Sequence, residues 1–145
     1  MTRFVLDASV VAKWFVREAG TPEATALRHA ALLAPDLIVP ECANILWKKT
    51  KRGEATRLQA NLAADILERS GIDLRPSASL VRAALDLSIS LDHPAYDCFY
   101  LALAEQEACP FVTADERLVR KVAQAAPPGL LILGLAEAAD RVRTV

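Results

Sequence analysis

Four acidic residues fall where a catalytic or metal-binding group would fall. Asp7 directly follows the apolar run Phe4-Val5-Leu6. Glu41 lies in the first turn of a helix expected to open at Pro40-Glu41, after a second short strand expected at Leu37-Ile38. Asp115 follows the strand-like Pro110-Phe111-Val112-Thr113. Asp97 sits in the first turn of residues 96–106, a helix apolar nearly all round. In an open parallel sheet the carboxyl ends of the strands line one edge, and ligands bind there. Asp7, Glu41 and Asp115 should therefore converge, with Asp97 joining if its helix starts at that edge. Two like charges about 4 Å apart repel by about 4 kcal/mol at an effective dielectric of about 20. Protons or a cation must neutralise such a pocket. An all-oxygen donor set selects a hard ion, Mg2+ or Mn2+. That ion on carboxylates, with positions left for water and phosphate oxygens, is the chemistry of phosphodiester cleavage.

Each acid also has a plainer role. Asp7 is placed to cap a helix, and Glu41 suits a helix dipole. Thr113-Ala114-Asp115-Glu116 has the S/T-x-x-E form of a capping box. Asp97 is harder to explain this way, because Tyr96, Cys98, Phe99, Tyr100 and Leu101 surround it and an unpaired buried carboxylate is costly.

The elements that must position these acids follow from apolar spacing and punctuation. Residues 4–6 read as a buried strand and 8–15 as a helix. Thr21-Pro22 starts a helix running to about Leu33, which Pro35 breaks. The helix carrying Glu41, Cys42, Ile45, Leu46 and Trp47 is interrupted at Gly53. Residues 55–70 are amphipathic, with Leu58, Leu62 and Ile66 one turn apart, and Gly71 stops that helix. A third strand is expected at 72–75, then a helix at 77–90 with an apolar stripe of Leu80, Val81, Ala84, Leu85 and Leu87. After His93-Pro94 come the helix at 96–106, a strand at 110–113, a helix at 115–125, a strand at 130–133 and a last helix at about 135–142. Short apolar strands alternating with helices predict a single α/β domain over residues 1–145, with a mostly parallel sheet.

Composition narrows the function classes. The chain has 145 residues, 53% hydrophobic and 24% charged, which suits one ordered globular domain. Its 17 basic and 18 acidic residues give a net charge of −1, so any nucleic-acid contact is local or metal-assisted. Cys42, Cys98 and Cys109 form no CxxC pair and read as reduced thiols; His29 and His93 have no zinc-type spacing. No signal-peptide pattern and no membrane-spanning apolar run are present, so a cytoplasmic protein is expected. The turn after the first strand is Asp7-Ala8-Ser9-Val10 rather than GxGxxG, and no GxxxxGK[ST] occurs. A haloacid-dehalogenase-type phosphatase wants a second Asp where Ser9 stands. The paired acids and late Lys of a receiver domain are missing, and neither histidine completes a Ser or Cys hydrolase pattern.

Four blocks in order carry a family resemblance: Phe4-Val5-Leu6-Asp7-Ala8-Ser9-Val10-Val11-Ala12-Lys13-Trp14-Phe15, Pro40-Glu41-Cys42-Ala43-Asn44-Ile45-Leu46-Trp47, Tyr96-Asp97-Cys98-Phe99-Tyr100-Leu101-Ala102-Leu103-Ala104, and Val112-Thr113-Ala114-Asp115-Glu116-Arg117-Leu118. The sequence resembles PIN domains, in particular the VapC-type toxin ribonucleases of type II toxin–antitoxin pairs. The resemblance implies a three-layer α/β/α sandwich on a five-stranded, mostly parallel sheet. It implies that Asp7, Glu41, Asp97 and Asp115 are the catalytic acids and bind Mg2+ or Mn2+. Ser9, Asn44 and Thr113 match supporting positions, and Glu116 is an extra candidate. The implied reaction is endonucleolytic attack of water on RNA, leaving a 5′-phosphate and a 3′-hydroxyl, with Asp97 positioning metal and water. The implied partners are RNA, a cognate antitoxin and a second copy of the chain.

Smaller features fit around that reading. Lys48, Lys49, Lys51 and Arg52 form either a solvated helix end or, with Arg117, an RNA backbone contact. Trp14, Phe15 and Trp47 read as core or, alternatively, as an antitoxin groove. The apolar helix at 96–104 is either core or part of a homodimer face. Two other functions compete: a non-catalytic interaction domain that keeps its acids for folding, and a metal-dependent nuclease or phosphatase acting on something other than RNA.

Overall fold

The computed structural model describes residues 1–144. Five short strands form one sheet: β1 (Arg3–Leu6), β2 (Ala31–Pro35), β3 (Asp73–Arg75), β4 (Phe111–Val112) and β5 (Ile132–Leu133). Their spatial order is β3-β2-β1-β4-β5, and every pair is parallel. The strand order reverses between β1 and β4. Around the sheet lie α1 (Ala8–Phe15), α2 (Thr21–Ala26), α3 (Ile38–Lys51), α4 (Arg57–Glu68), α5 (Val81–Leu91), α6 (Ala95–Glu107), α7 (Glu116–Ala125) and α8 (Leu135–Arg143). Parallel neighbours need crossover connections of one hand, so a reversal in strand order sends helices to both faces. The α6 helix lies across β1, β2 and β4 with α5 along it, while α1 packs on α2 and α3, and α2 on α8. The result is the expected α/β sandwich.

The core is centred on β1, where Phe4, Val5 and Leu6 are fully buried. Cys98, Tyr100, Leu101, Ala102, Leu103 and Ala104 of α6 are buried within the same subunit. The middle of this helix is apolar because it is enclosed by its own subunit, while Tyr96 at its start is exposed.

Several boundaries differ from the sequence reading. The second strand is Ala31–Pro35, not Leu37-Ile38. Its Ala-Leu-Leu-Ala composition favours a helix locally, but burial between β1 and β3 decides for strand. The helix from Thr21 accordingly stops at Ala26, with Gly20 rather than Thr21 as N-cap, and a 3-10 turn covers Leu27–His29. Pro35 ends β2 instead of breaking a helix. The next helix begins at Ile38, and Pro40 sits in its first turn, where no amide donor is needed. The helix expected at 55–70 is α4, opened by a capping box of Thr56 and Gln59. Its stripe Leu58, Leu62 and Ile66 faces outward. Val81 and Leu85 of α5 are exposed too, whereas Leu80 and Ala84 are buried.

Candidate active site at the strand-order reversal

Asp7 leaves β1 and caps α1, its Oδ1 accepting from the Ser9 amide at 3.1 Å. The capping role and the site role coincide in one residue. The same oxygen accepts from the Ser9 hydroxyl at 2.5 Å, and Oδ2 accepts from the Thr113 hydroxyl at 2.6 Å. Thr113 follows β4, the strand beside β1. Asp7 and Thr113 therefore meet where the strand order reverses, which is where open α/β sheets form a crevice. Asp7 is 8% exposed and Thr113 fully buried. Burial pushes the Asp7 carboxyl up to about 6, against the pull of Ser9 and Thr113, and the Asp97 charge adds to the rise.

Glu41, in the first turn of α3, accepts from the Tyr100 hydroxyl at 2.5 Å. Half-burial raises its proton affinity, with Tyr100 opposing and Asp97 reinforcing. Asp97, in the first turn of α6, stands 2.7 Å through Oδ2 from His93 Nε2. Asp7, Glu41 and Asp97 thus share one electrostatic neighbourhood. Asp115 stands at its rim. Its amide donates to Thr113 Oγ1 at 3.1 Å, while its Oδ1 caps α7 through the amides of Arg117 and Leu118. Asp115, not Thr113, is the N-cap of α7, so the capping box expected over Thr113–Glu116 does not form. Thr113 spends its hydroxyl on Asp7 instead.

The donors are carboxylate oxygens, and the groups acting most on Asp7 are Ser9, Thr113, Asp97 and the Val10 amide, none of them cationic. In charge and donor type the site fits a hard divalent ion. Among the described residues no three His, Cys, Asp or Glu side chains are gathered closely enough to ligate one ion as they stand. Each acid is held by its own protein partner.

The family model for the PIN domain matches residues 4–124. The chain belongs to the PIN domain family. It is 30% identical over 126 residues to ribonuclease VapC3 of Pyrobaculum aerophilum, covering 82% of this chain and 94% of that protein. Its fold matches PAE2754 from Pyrobaculum aerophilum with a TM-score of 0.67 at 19% identity, over 99% of this chain and 98% of the other. It also matches VapBC2 from Rickettsia felis bound to a promoter DNA fragment (TM-score 0.65, 13% identity, 92% and 98% covered). A third match is VapC20 of Mycobacterium tuberculosis, a sarcin-ricin loop cleaving toxin (0.60, 15%, 77% and 87%).

The other candidate residues of this PIN domain separate by place. Ser9 also accepts from the Ala114 amide at 3.1 Å, tying the α1 start to the β4 end. Asn44 is exposed on α3, one turn beyond Glu41. Glu116 lines a cleft of about 560 Å3 that begins at Thr113 and Ala114 and reaches Lys13, Glu23 and Glu137. Lys48, Lys51, Arg52 and Arg117 are exposed. Lys49 is not part of a solvated or RNA-facing run: it is 9% exposed and pairs with Glu18 at 2.8 Å and Glu54 at 3.6 Å. Trp14 and Phe15 pack partly buried against the core, and Trp14 Nε1 donates to the Ala24 carbonyl at 2.7 Å. Trp47 is 56% exposed, so it is not core. It lines a groove of about 300 Å3 together with Ala43, Leu46, Thr50, Arg57, Ala60 and Ala64.

Two residues at the acids carried no assigned role in the sequence reading. Tyr100 looked like one more apolar residue of α6, and nothing local links it to Glu41, 59 positions away. His93 looked like punctuation. It precedes Asp97 by only four residues, although it lies in the turn before α6 and not on the helix.

Proposed function

We propose that this PIN domain is a Mg2+- or Mn2+-dependent endoribonuclease, the toxin of a type II toxin–antitoxin module. The observation that carries the reading is Asp7: a buried carboxylate at the strand-order reversal, fixed by two hydroxyls and facing the Asp97 charge. Asp7, Glu41 and Asp97 would hold the ion, with Asp115 at the rim. Bound there, a divalent cation supplies charge for phosphate oxygens and acidifies water. Ser9 and Thr113 keep Asp7 in one orientation, and Tyr100 does the same for Glu41. Asp97 orients the attacking water, and the phosphodiester opens to a 5′-phosphate and a 3′-hydroxyl. Lys48, Lys51, Arg52 and Arg117 contact the RNA backbone.

The antitoxin is a protein partner that lays an apolar segment beside Trp47, in the groove between α3 and α4. The protein acts in the cytoplasm as a homodimer; no described helix is long and apolar enough to cross a membrane. The test is incubation of the isolated protein with mixed cellular RNA under Mg2+, Mn2+ or EDTA, beside Asp97→Asn. Discrete cuts that need both metal and Asp97 support the reading. Metal-independent cuts, or full activity of Asp97→Asn, overturn it. A folded protein that neither cuts nor binds metal points to the interaction-domain alternative.

A further inference from the structure

His93 sits in the turn between α5 and α6, and that turn is fixed at several points. Asp92 closes α5 in the left-handed region at φ 50°. The His93 amide donates to the Ser88 carbonyl at 3.1 Å, and the Ser88 hydroxyl donates to the His93 carbonyl. The ring is 16% exposed at the side chain and has a partner on each nitrogen. Nε2 lies 2.7 Å from Asp97 Oδ2, and Nδ1 lies 3.2 Å from Lys121 Nζ on α7. Lys121 Nζ also donates to the Asp92 carbonyl at 2.8 Å, which fixes its place.

An ammonium has donors and no acceptor. Facing Lys121, Nδ1 must accept, so the ring proton belongs on Nε2, where it is donated to Asp97. We infer that His93 is a positioning residue for Asp97: the ionised carboxylate only accepts and the Lys121 ammonium only donates, so both neighbours call for the same tautomer. The inference rests on the proposal that Asp97 helps to hold the ion.

Oδ2 of Asp97 is taken by the imidazole, which would leave Oδ1 for an ion. The hydrogen bond fixes the carboxylate rotamer before an ion arrives. His93 is not itself a ligand, because both ring nitrogens are engaged. The cation nearest Asp97 in this chain of contacts is held one imidazole away. It can bias the carboxylate through the ring without closing a salt bridge that would compete with the ion. Tyr100, three residues after Asp97, holds Glu41 from the same face of α6. The α6 helix therefore carries one of the four acids and fixes a second. A purely structural role, tying the α5–α6 turn to α7, would leave metal binding alone.

The test uses three variants, His93→Ala, His93→Gln and Lys121→Met, in a His29→Gln background that leaves one imidazole to observe. Long-range nitrogen–proton NMR of the metal-free protein reads the tautomer. It is expected to show the proton on Nε2, and to show it there still in Lys121→Met, where Asp97 remains to accept it. Calorimetric titration with Mn2+ is expected to show binding weakened about 10–100-fold in His93→Ala, the usual cost of removing a group that orients a ligand. His93→Gln, which keeps a donor, should recover part of the loss. The KM for RNA should stay near that of the parent while kcat falls. A proton on Nδ1, or folded His93→Ala that binds Mn2+ as the parent does, overturns the inference while leaving the nuclease reading intact. Should His93→Ala not fold, His93→Leu, which fills the space without a donor, replaces it in the Mn2+ titration. A parent protein that binds no Mn2+ overturns both.

Discussion

Thr113 donates its hydroxyl to Asp7 at 2.6 Å across the one place in the sheet where the strand order reverses. The same oxygen accepts the Asp115 amide at 3.1 Å. One buried hydroxyl thus links the end of β1, the end of β4 and the start of α7. Thr113→Val keeps the shape and strands both partners. It should cost about 1–3 kcal/mol, the usual penalty for unsatisfied buried polar groups. Urea denaturation of the metal-free protein reads the loss, and Mn2+ affinity should fall with it.

Asp7 has its carboxyl pushed up from 3.8 to about 6 by burial. The folded state therefore holds this proton more tightly than the unfolded chain. The favourable contribution is complete below the unfolded value and is lost as pH rises through about 6. A shift of this size corresponds to about 3 kcal/mol. Thermal denaturation in EDTA should show stability declining over that window, and Asp7→Asn should flatten the decline. Mn2+ binding runs the other way, since the ion needs the ionised carboxylate, and should weaken as pH falls below about 6.

Tyr100 is buried and donates to Glu41, which is why its own ionisation is pushed far up. Tyr100→Phe removes that donor with little change in packing against Phe111, on which the ring stacks at 5.7 Å. Glu41 then loses the interaction that lowers its proton affinity. RNA cleavage should drop about tenfold or more while the melting temperature moves little. An unchanged rate would remove Tyr100 from the site.

The basic run on α3 divides in two. Lys49 closes an internal network with Glu18, which also pairs with Lys13 at 3.3 Å. Lys49→Met should destabilise the fold by about 1–3 kcal/mol, less than for a fully enclosed pair because Glu18 is a third exposed. Reversing Lys48, Lys51 and Arg52 together should cost about 1 kcal/mol, because these exposed cations suit the C-terminal end of α3 and Lys51 lies over the Trp47 ring. It should lower the salt dependence of RNA binding by about 2 in log–log slope if all three meet phosphates.

The legible parts of this protein were those set by local pattern. Phe4-Val5-Leu6 followed by Asp7 announces a strand, an edge and an acid together. The second strand was hidden because Ala31-Leu32-Leu33-Ala34 lacks β-branched residues, and only its neighbours in the sheet make it extended. The stripe Leu58, Leu62 and Ile66 forms one helix face, as its spacing requires, but periodicity does not say whether anything covers that face. Tyr100 was out of reach because its partner is distant in sequence. His93 was within reach, since its spacing to Asp97 is local.

The central claim is that Asp7 and Asp97 hold a hard cation at the strand-order reversal. Mn2+ binding followed by electron paramagnetic resonance tests it most directly, on the wild-type protein, Asp7→Asn and Asp97→Asn, each checked for folding by circular dichroism. The account predicts saturable binding by the wild type that is weakened at least tenfold in each folded variant. A folded wild type that binds no Mn2+, or variants that bind it as tightly as the wild type, would contradict it.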